Sequence, residues 1–221
     1  MGECVFVMGR TGSGKSYSLR NLDPSTCGVF EVGGKRLPFH SGLPTYDLGT
    51  MGYRERYQLI EAKLLENSRR LYVIDDSSFL QADENLERVF QKGDKFQMYA
   101  EIGFHLARLV QCATRTDAQT VVYFLHHVDT DDYGRDKVRS IGKLVEEKYN
   151  PIERCNVVID CVNDSGTHKF RTSNTGGNLA KSPVGMLPEE MDNDLAEVDR
   201  MLREFYGMEP LASDGKEKDH A

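Results

Sequence analysis

Residues 9–16 read Gly-Arg-Thr-Gly-Ser-Gly-Lys-Ser. The spacing Gly-x-x-x-x-Gly-Lys-Ser is that of a loop that wraps phosphate groups. Glycines let the backbone curl until successive N–H groups point at phosphate oxygens. A helix starting directly behind the loop would add the positive end of its dipole. Lys15 would neutralise β/γ-phosphate charge, and Ser16 would offer a hydroxyl to Mg²⁺. The expected nucleotide-binding set is therefore Gly9, Arg10, Thr11, Gly12, Ser13, Gly14, Lys15, Ser16 and Tyr17. A guanine reader of the form Asn-Lys-x-Asp occurs nowhere in the chain, so ATP with Mg²⁺ is the expected pair.

Three further places carry groups suited to the same chemistry. The apolar run Leu71–Asp76 (LYVIDD) ends in two carboxylates. Asp75 is in position to hold Mg²⁺ together with Ser16. Asp76 would orient the attacking water or cap the Ser77-Ser78 segment. Glu31, at the end of the run CGVFEV, is the other candidate base, beside the loop-bearing strand if the strands follow a doubly wound order. The run VVYFLHHVD brings His126 and His127 to a carboxyl-end rim, where one of them would sense the γ-phosphate; the alternative is one buried and one exposed histidine. Lys15, Glu31, Asp76, His126 and His127 are thus the catalytic candidates.

Two segments are polar and basic. Residues 130–143 carry Arg135, Lys137, Arg139 and Lys143 against Asp131, Asp132 and Asp136; residues 166–181 carry Lys169, Arg171 and Lys181 with no acid. Such loops can track a phosphodiester backbone, with Tyr133 and Phe170 able to stack on bases; on charge alone a solvated surface fits equally well. Arg135, Lys137 and Arg139 also imitate the cationic lid of a small-molecule or nucleotide kinase. That is the main alternative to a hydrolase, followed by a non-hydrolysing nucleotide switch.

The elements that must position these groups follow from periodicity. Strands are expected at Glu3–Met8, Cys27–Val32, Leu71–Asp76 and Val121–Leu125, with a late pair at Asn156–Val162 and Thr167–Thr172. Helices are expected at 15–21, 54–67, 95–114 and 194–206, with Tyr57, Ile60 and Leu64, then Tyr99, Ile102, Leu106, Leu109, Val110 and Ala113, then Leu195, Val198, Leu202 and Phe205 as apolar stripes. Alternation of this kind predicts an α/β fold: a mainly parallel central sheet flanked by helices, with an antiparallel C-terminal extension.

The chain has 221 residues, 29% charged and 39% hydrophobic. That size supports a full core without staples, in a single domain at 1–207 with an acidic flexible tail at 208–221. No apolar run reaches the ~20 residues of a membrane-spanning helix. The motif at Gly9 leaves no room for a removable leader. Five cysteines without a CxxC pair suit a reducing compartment and small core positions, so a cytoplasmic location is expected. The net charge of −7 lies wholly in residues 182–221, with eleven acidic and four basic residues; residues 1–181 balance.

In order, GRTGSGKS, CGVFEV, LYVIDD, VVYFLHHVD, FRTSNTGGNLAKSPVGML and NDLAEVDRML resemble the phage-type RecA-core ATPases of the AAA class, nucleotide-binding proteins linked to single-strand annealing and recombination in bacteriophages. The resemblance covers about residues 1–206. It implies a RecA-like P-loop fold, DNA-stimulated ATP hydrolysis with Mg²⁺, and single-stranded DNA as partner. It also implies assembly into a homo-oligomeric ring, a possible single-strand-binding protein as second partner, and the host cytoplasm as location. It favours Glu31 over Asp76 as the group that activates water, and assigns DNA binding to Arg135, Lys137, Arg139 and Lys143. Lys169 or Lys181 would act in trans on a neighbour's γ-phosphate. Two departures stand out: histidine replaces the glutamine that RecA carries at the end of strand four, and no separate N-terminal DNA-binding or polymerising domain is visible.

Overall fold

The computed structural model describes residues 1–142 and 149–211. Lys143 and residues 212–221 of the expected tail lie outside them.

Among the described residues the strands are β1 (Glu3–Gly9), β2 (Cys27–Glu31), β3 (Thr45–Asp47), β4 (Leu71–Asp75), β5 (Val121–Thr130), β6 (Asp136–Val138), β7 (Val157–Asp164), β8 (Thr167–Arg171) and β9 (Glu190–Asp192). The α-helices are α1 (Tyr53–Glu66), α2 (Ser78–Arg88), α3 (Lys95–Thr114) and α4 (Leu195–Tyr206). The strands pair in the order β3-β2-β4-β5-β1-β7-β8-β9, with β6 alongside the end of β5. Pairs from β3 to β7 are parallel; β7–β8, β8–β9 and β5–β6 are antiparallel. The fold is α/β, a mostly parallel mixed sheet flanked by helices, compatible with a Rossmann or P-loop-like arrangement.

Alternation along the strands separates two cores. Cys4, Phe6, Met8, Tyr72, Ile74, Val122 and Phe124 face α1, α2 and α3, meeting Tyr57, Ile60, Leu64, Leu80, Leu109 and Val110. Val5, Val7, Leu71, Val73, Tyr123 and Leu125 face the other way, onto Leu19, Leu22, Leu195, Val198 and Leu202. The central strands are covered on both sides, which is why they read as continuous apolar runs. Tyr99 and Phe205 leave their expected stripes and stand 37% and 45% exposed. Cys4, Cys27, Cys155 and Cys161 are buried free thiols, and Cys112 is half-buried. Met208 and Leu211 pack against the second core.

The order corrects one expectation. Glu31 does not lie beside the loop-bearing strand: β4 and β5 stand between β2 and β1. Two carboxyl-end segments differ as well. Residues 130–139 are not a loop, because β5 runs on to Thr130 and turns back as β6. The segment behind the phosphate-type loop is a six-residue 3₁₀ helix, Ser16–Asn21. Ser18 Oγ donates to Lys15 O at 2.6 Å, competing with helical bonding, and Asp23-Pro24 stops the chain soon after. The dipole expected behind the loop is correspondingly small.

Among the described residues no helix is long and apolar enough to cross a membrane.

Candidate functional site

The carboxyl ends of β1, β4 and β5 form one rim. β5 lies between the other two, with Gly9 paired to His127 and Ile74 to Phe124. The loop after β1 is held by Gly9, Gly12 and Gly14. Gly12 and Gly14 adopt φ of +78° and +104°, where other side chains are strained. A Cβ on Gly9 would stand 2.6 Å from Cys161 O.

Lys15 is only 5% exposed. Its Nζ donates to Gly9 O at 2.8 Å and Arg10 O at 3.1 Å, and lies 3.4 Å from His127 Nδ1. Burial lowers its pKa, and the nearby Asp76 and Asp75 carboxylates oppose that shift. Ser16 Oγ donates to Asp75 Oδ1 at 2.9 Å. Burial, and then the charge of Asp76, push Asp75 up to about 6 against the Ser16 bond and Lys15.

The two histidines part because adjacent strand residues face opposite sides. His126, fully buried, follows Phe124 onto the α1–α3 side and stacks edge-on against Phe6. Ser77 Oγ lies 2.9 Å from its Nδ1, and its Nε2 is 2.8 Å from Arg139 O. A neutral ring that accepts from Ser77 and donates to the carbonyl meets both partners, and burial lowers its pKa to about 4. His126 fastens the β5–β6 hairpin to the start of α2. His127 turns to the loop side and meets Asp76 Oδ1 through Nε2 at 3.0 Å. An ammonium on one side and a carboxylate on the other fix the Nε2–H tautomer.

Asp76 does not cap α2. It sits at φ +57°, and its other oxygen meets Lys35 Nζ at 3.2 Å. Burial would raise its pKa, but the His127 bond and the Lys35 charge prevail and hold it below the usual range. Glu31 lies in register with Asp75 and Asp47 on the neighbouring strands; burial, and then the Asp47 charge, raise its pKa.

A cleft of about 380 Å³ joins Thr11, Gly12, Gly14, Lys15, Ser16 and Tyr17 to Asp75, Asp76 and His127. Glu31 and His126 do not line it. Lys35, Arg36, Pro38 and His168 do, and sequence reasoning missed all four. Lys35 and Arg36 follow a Gly-Gly pair at the end of a parallel strand, a rim position that marks them in retrospect. His168 has no local signal; it comes from the β7–β8 hairpin, its Nδ1 donating to Ser13 O at 2.8 Å beneath Gly14.

No family model and no curated protein matches the chain. Its own geometry must carry the functional reading.

The expected polynucleotide contacts Arg135, Lys137 and Arg139 share the β5–β6 hairpin. Arg135 meets Asp131 at 2.9 Å and Arg139 meets Asp129 at 2.8 Å, exposed pairs within the hairpin. Lys137 lies opposite Asp129 in the β5–β6 pairing. Lys169 is tied to Glu190 at 2.5 Å, and Lys181 bridges Val158 at the start of β7.

A second, polar pocket of about 560 Å³ flanks the loop at Arg10–Ser13 and reaches Asp136, Asp160, Arg171 and Asn178. Burial, and then the Asp136 charge, push Asp160 up to about 6. Arg10 reaches over it to Thr130 Oγ1 at 3.1 Å and Asp136 at 3.5 Å.

Ser16 and Asp75 fit Mg²⁺: they are two oxygen donors beside a phosphate-type loop, and this ion keeps most of its remaining positions for water and phosphate oxygens. Among the described residues no three His, Cys, Asp or Glu side chains converge as a metal site, which such sparse coordination does not require.

Proposed function

We propose that this chain is a RecA-like P-loop ATPase that binds ATP with Mg²⁺ and acts on single-stranded DNA in phage recombination, working as a homo-oligomer. The observation that carries the reading is the Ser16–Asp75 contact at 2.9 Å. A loop hydroxyl and a strand-end carboxylate, 59 residues apart, meet beside a buried lysine in one cleft.

The chain's own groups suggest how hydrolysis would run. The loop N–H groups and Lys15 bind the phosphates, Lys15 exchanging the Gly9 and Arg10 carbonyls for β/γ oxygens. Bound Mg²⁺ would supply charge neutralisation on those oxygens. Asp76, inside the cleft, is favoured over Glu31 as the base: it takes a proton from water as the water oxygen bonds to the γ-phosphorus and ADP leaves with the bridging oxygen. His127 holds Asp76 in position and reports the terminal phosphate to the β5–β6 hairpin that follows it.

The test is ATP turnover with and without an oligothymidine strand. The reading expects the strand to raise turnover. Equal rates, together with no salt-sensitive strand binding, overturn the DNA half of it.

One observation favours phosphoryl transfer to a small acceptor instead: the second polar pocket beside Arg10–Ser13 with its buried Asp160. A phosphorylated product in an acceptor screen would select that reading.

A further inference from the structure

The segment from Gly33 to Pro44, between β2 and β3, crosses the rim opposite the phosphate-type loop. It is anchored: Leu43 is buried, and Leu37 and Phe39 pack against the second core. Its root is tight. Gly34 takes φ +62°, and a Cβ on Gly33 would stand 2.9 Å from Asp76 Oδ2. The strap therefore holds Lys35 over Asp76, at 3.2 Å, with the ammonium also over the Phe79 ring at 5.2 Å. Arg36 lines the same cleft.

Lys35 is 67% exposed, so its pair with Asp76 is weakly held and exchanges readily for a better anion. The cleft it borders already contains Lys15, Ser16 and the carboxylates of β4. A phosphate chain entering there brings more negative charge than the single Asp76 oxygen that Lys35 now faces. Its terminal group, next to Asp76 and His127, lies within the sweep of a flexible four-carbon stem.

The geometry points to Lys35 as a cis-acting cation for the terminal phosphate of a bound nucleoside triphosphate, delivered by the chain's own strap and released from Asp76 on loading. The inference rests on the nucleotide reading above. It differs from the trans-acting expectation for Lys169 and Lys181, of which Lys169 is engaged by Glu190.

The experiment is calorimetric titration of the full chain with MgATP and, separately, MgADP, for the unsubstituted protein, Lys35→Ala and Lys35→Arg. The inference expects Lys35→Ala to weaken MgATP at least about tenfold with MgADP held within about twofold, and Lys35→Arg to recover most of the loss. Unchanged MgATP affinity in Lys35→Ala overturns it, and so does an equal loss for both nucleotides. Where turnover is measurable, Lys35→Ala is mixed with Lys15→Ala, which retains Lys35. No recovery supports action in cis, and recovery overturns it. If the unsubstituted protein takes up neither nucleotide, the nucleotide reading itself fails, a result distinct from a failure of Lys35.

Discussion

The His127 imidazole stands between Lys15 and Asp76, with Nδ1 3.4 Å from the ammonium and Nε2 3.0 Å from the carboxylate. Lys35 closes the other side of Asp76 at 3.2 Å. Four groups from four parts of the chain thus form one run of contacts: ammonium, imidazole, carboxylate, ammonium. Each change at one end alters the partners available to the next.

The neighbouring histidines therefore separate by function. His127→Ala should lower ATP turnover about 100-fold, because it removes a group aligned with the terminal phosphate and the base. His126→Ala should instead cost about 2–4 kcal/mol of stability, because it removes a fully buried ring packed on Phe6 and the donor to Arg139 O. Turnover and urea unfolding of the two variants decide this. Loss of turnover in a fully stable His126→Ala would reverse the assignment.

Mg²⁺ needs Asp75 ionised, and burial has pushed that carboxyl up to about 6. The metal-dependent part of ATP affinity should therefore rise from about pH 5 and level off above about pH 7. Comparison of the pH profile with that of Asp75→Asn separates the Asp75 part from the titration of ATP itself. Asp75→Asn should remove the metal-dependent part at every pH.

Asp160 is 6% exposed, with a folded pKa of about 6 against an ordinary value of 3.8. Between those values the folded state binds more protons than the unfolded one, so the Asp160 contribution to stability falls as pH rises through the window. Above about pH 6 the ionised form opposes folding by up to about 3 kcal/mol, and below about pH 4 that penalty is gone. Asp160→Asn should accordingly be the more stable protein near pH 7, with the gap closing near pH 4. Urea unfolding at the two pH values measures it; a less stable variant near neutrality would contradict the sign.

The strands β1, β2, β4, β5 and β7 were legible because central parallel strands are apolar on both faces, and α3 because its stripe keeps step from Ile102 to Ala113. What escaped has physical causes. The three-residue strands β3, β6 and β9 are too short to show alternation, and α2 is polar enough (SFLQADENLER) that only its packing reveals it. At the site, the loop, Asp75 and the two histidines announced themselves by type and strand-end position. Which histidine faces the loop depends on strand parity, readable only once Phe124 is known to point at α1–α3. Lys35 is marked only by the Gly-Gly pair that follows β2, and His168 reaches the cleft from a distant hairpin, a contact that no local pattern carries.

The central claim is that residues 9–16 wrap the phosphate chain of a nucleotide. Isothermal titration of the purified protein with MgATP, beside Lys15→Ala, tests it most directly. The account predicts one saturable site in the micromolar range that Lys15→Ala weakens by about 100-fold or more, since a buried charge meets the phosphates there. No heat and no saturation in the unsubstituted protein, or equal binding by Lys15→Ala, would contradict it.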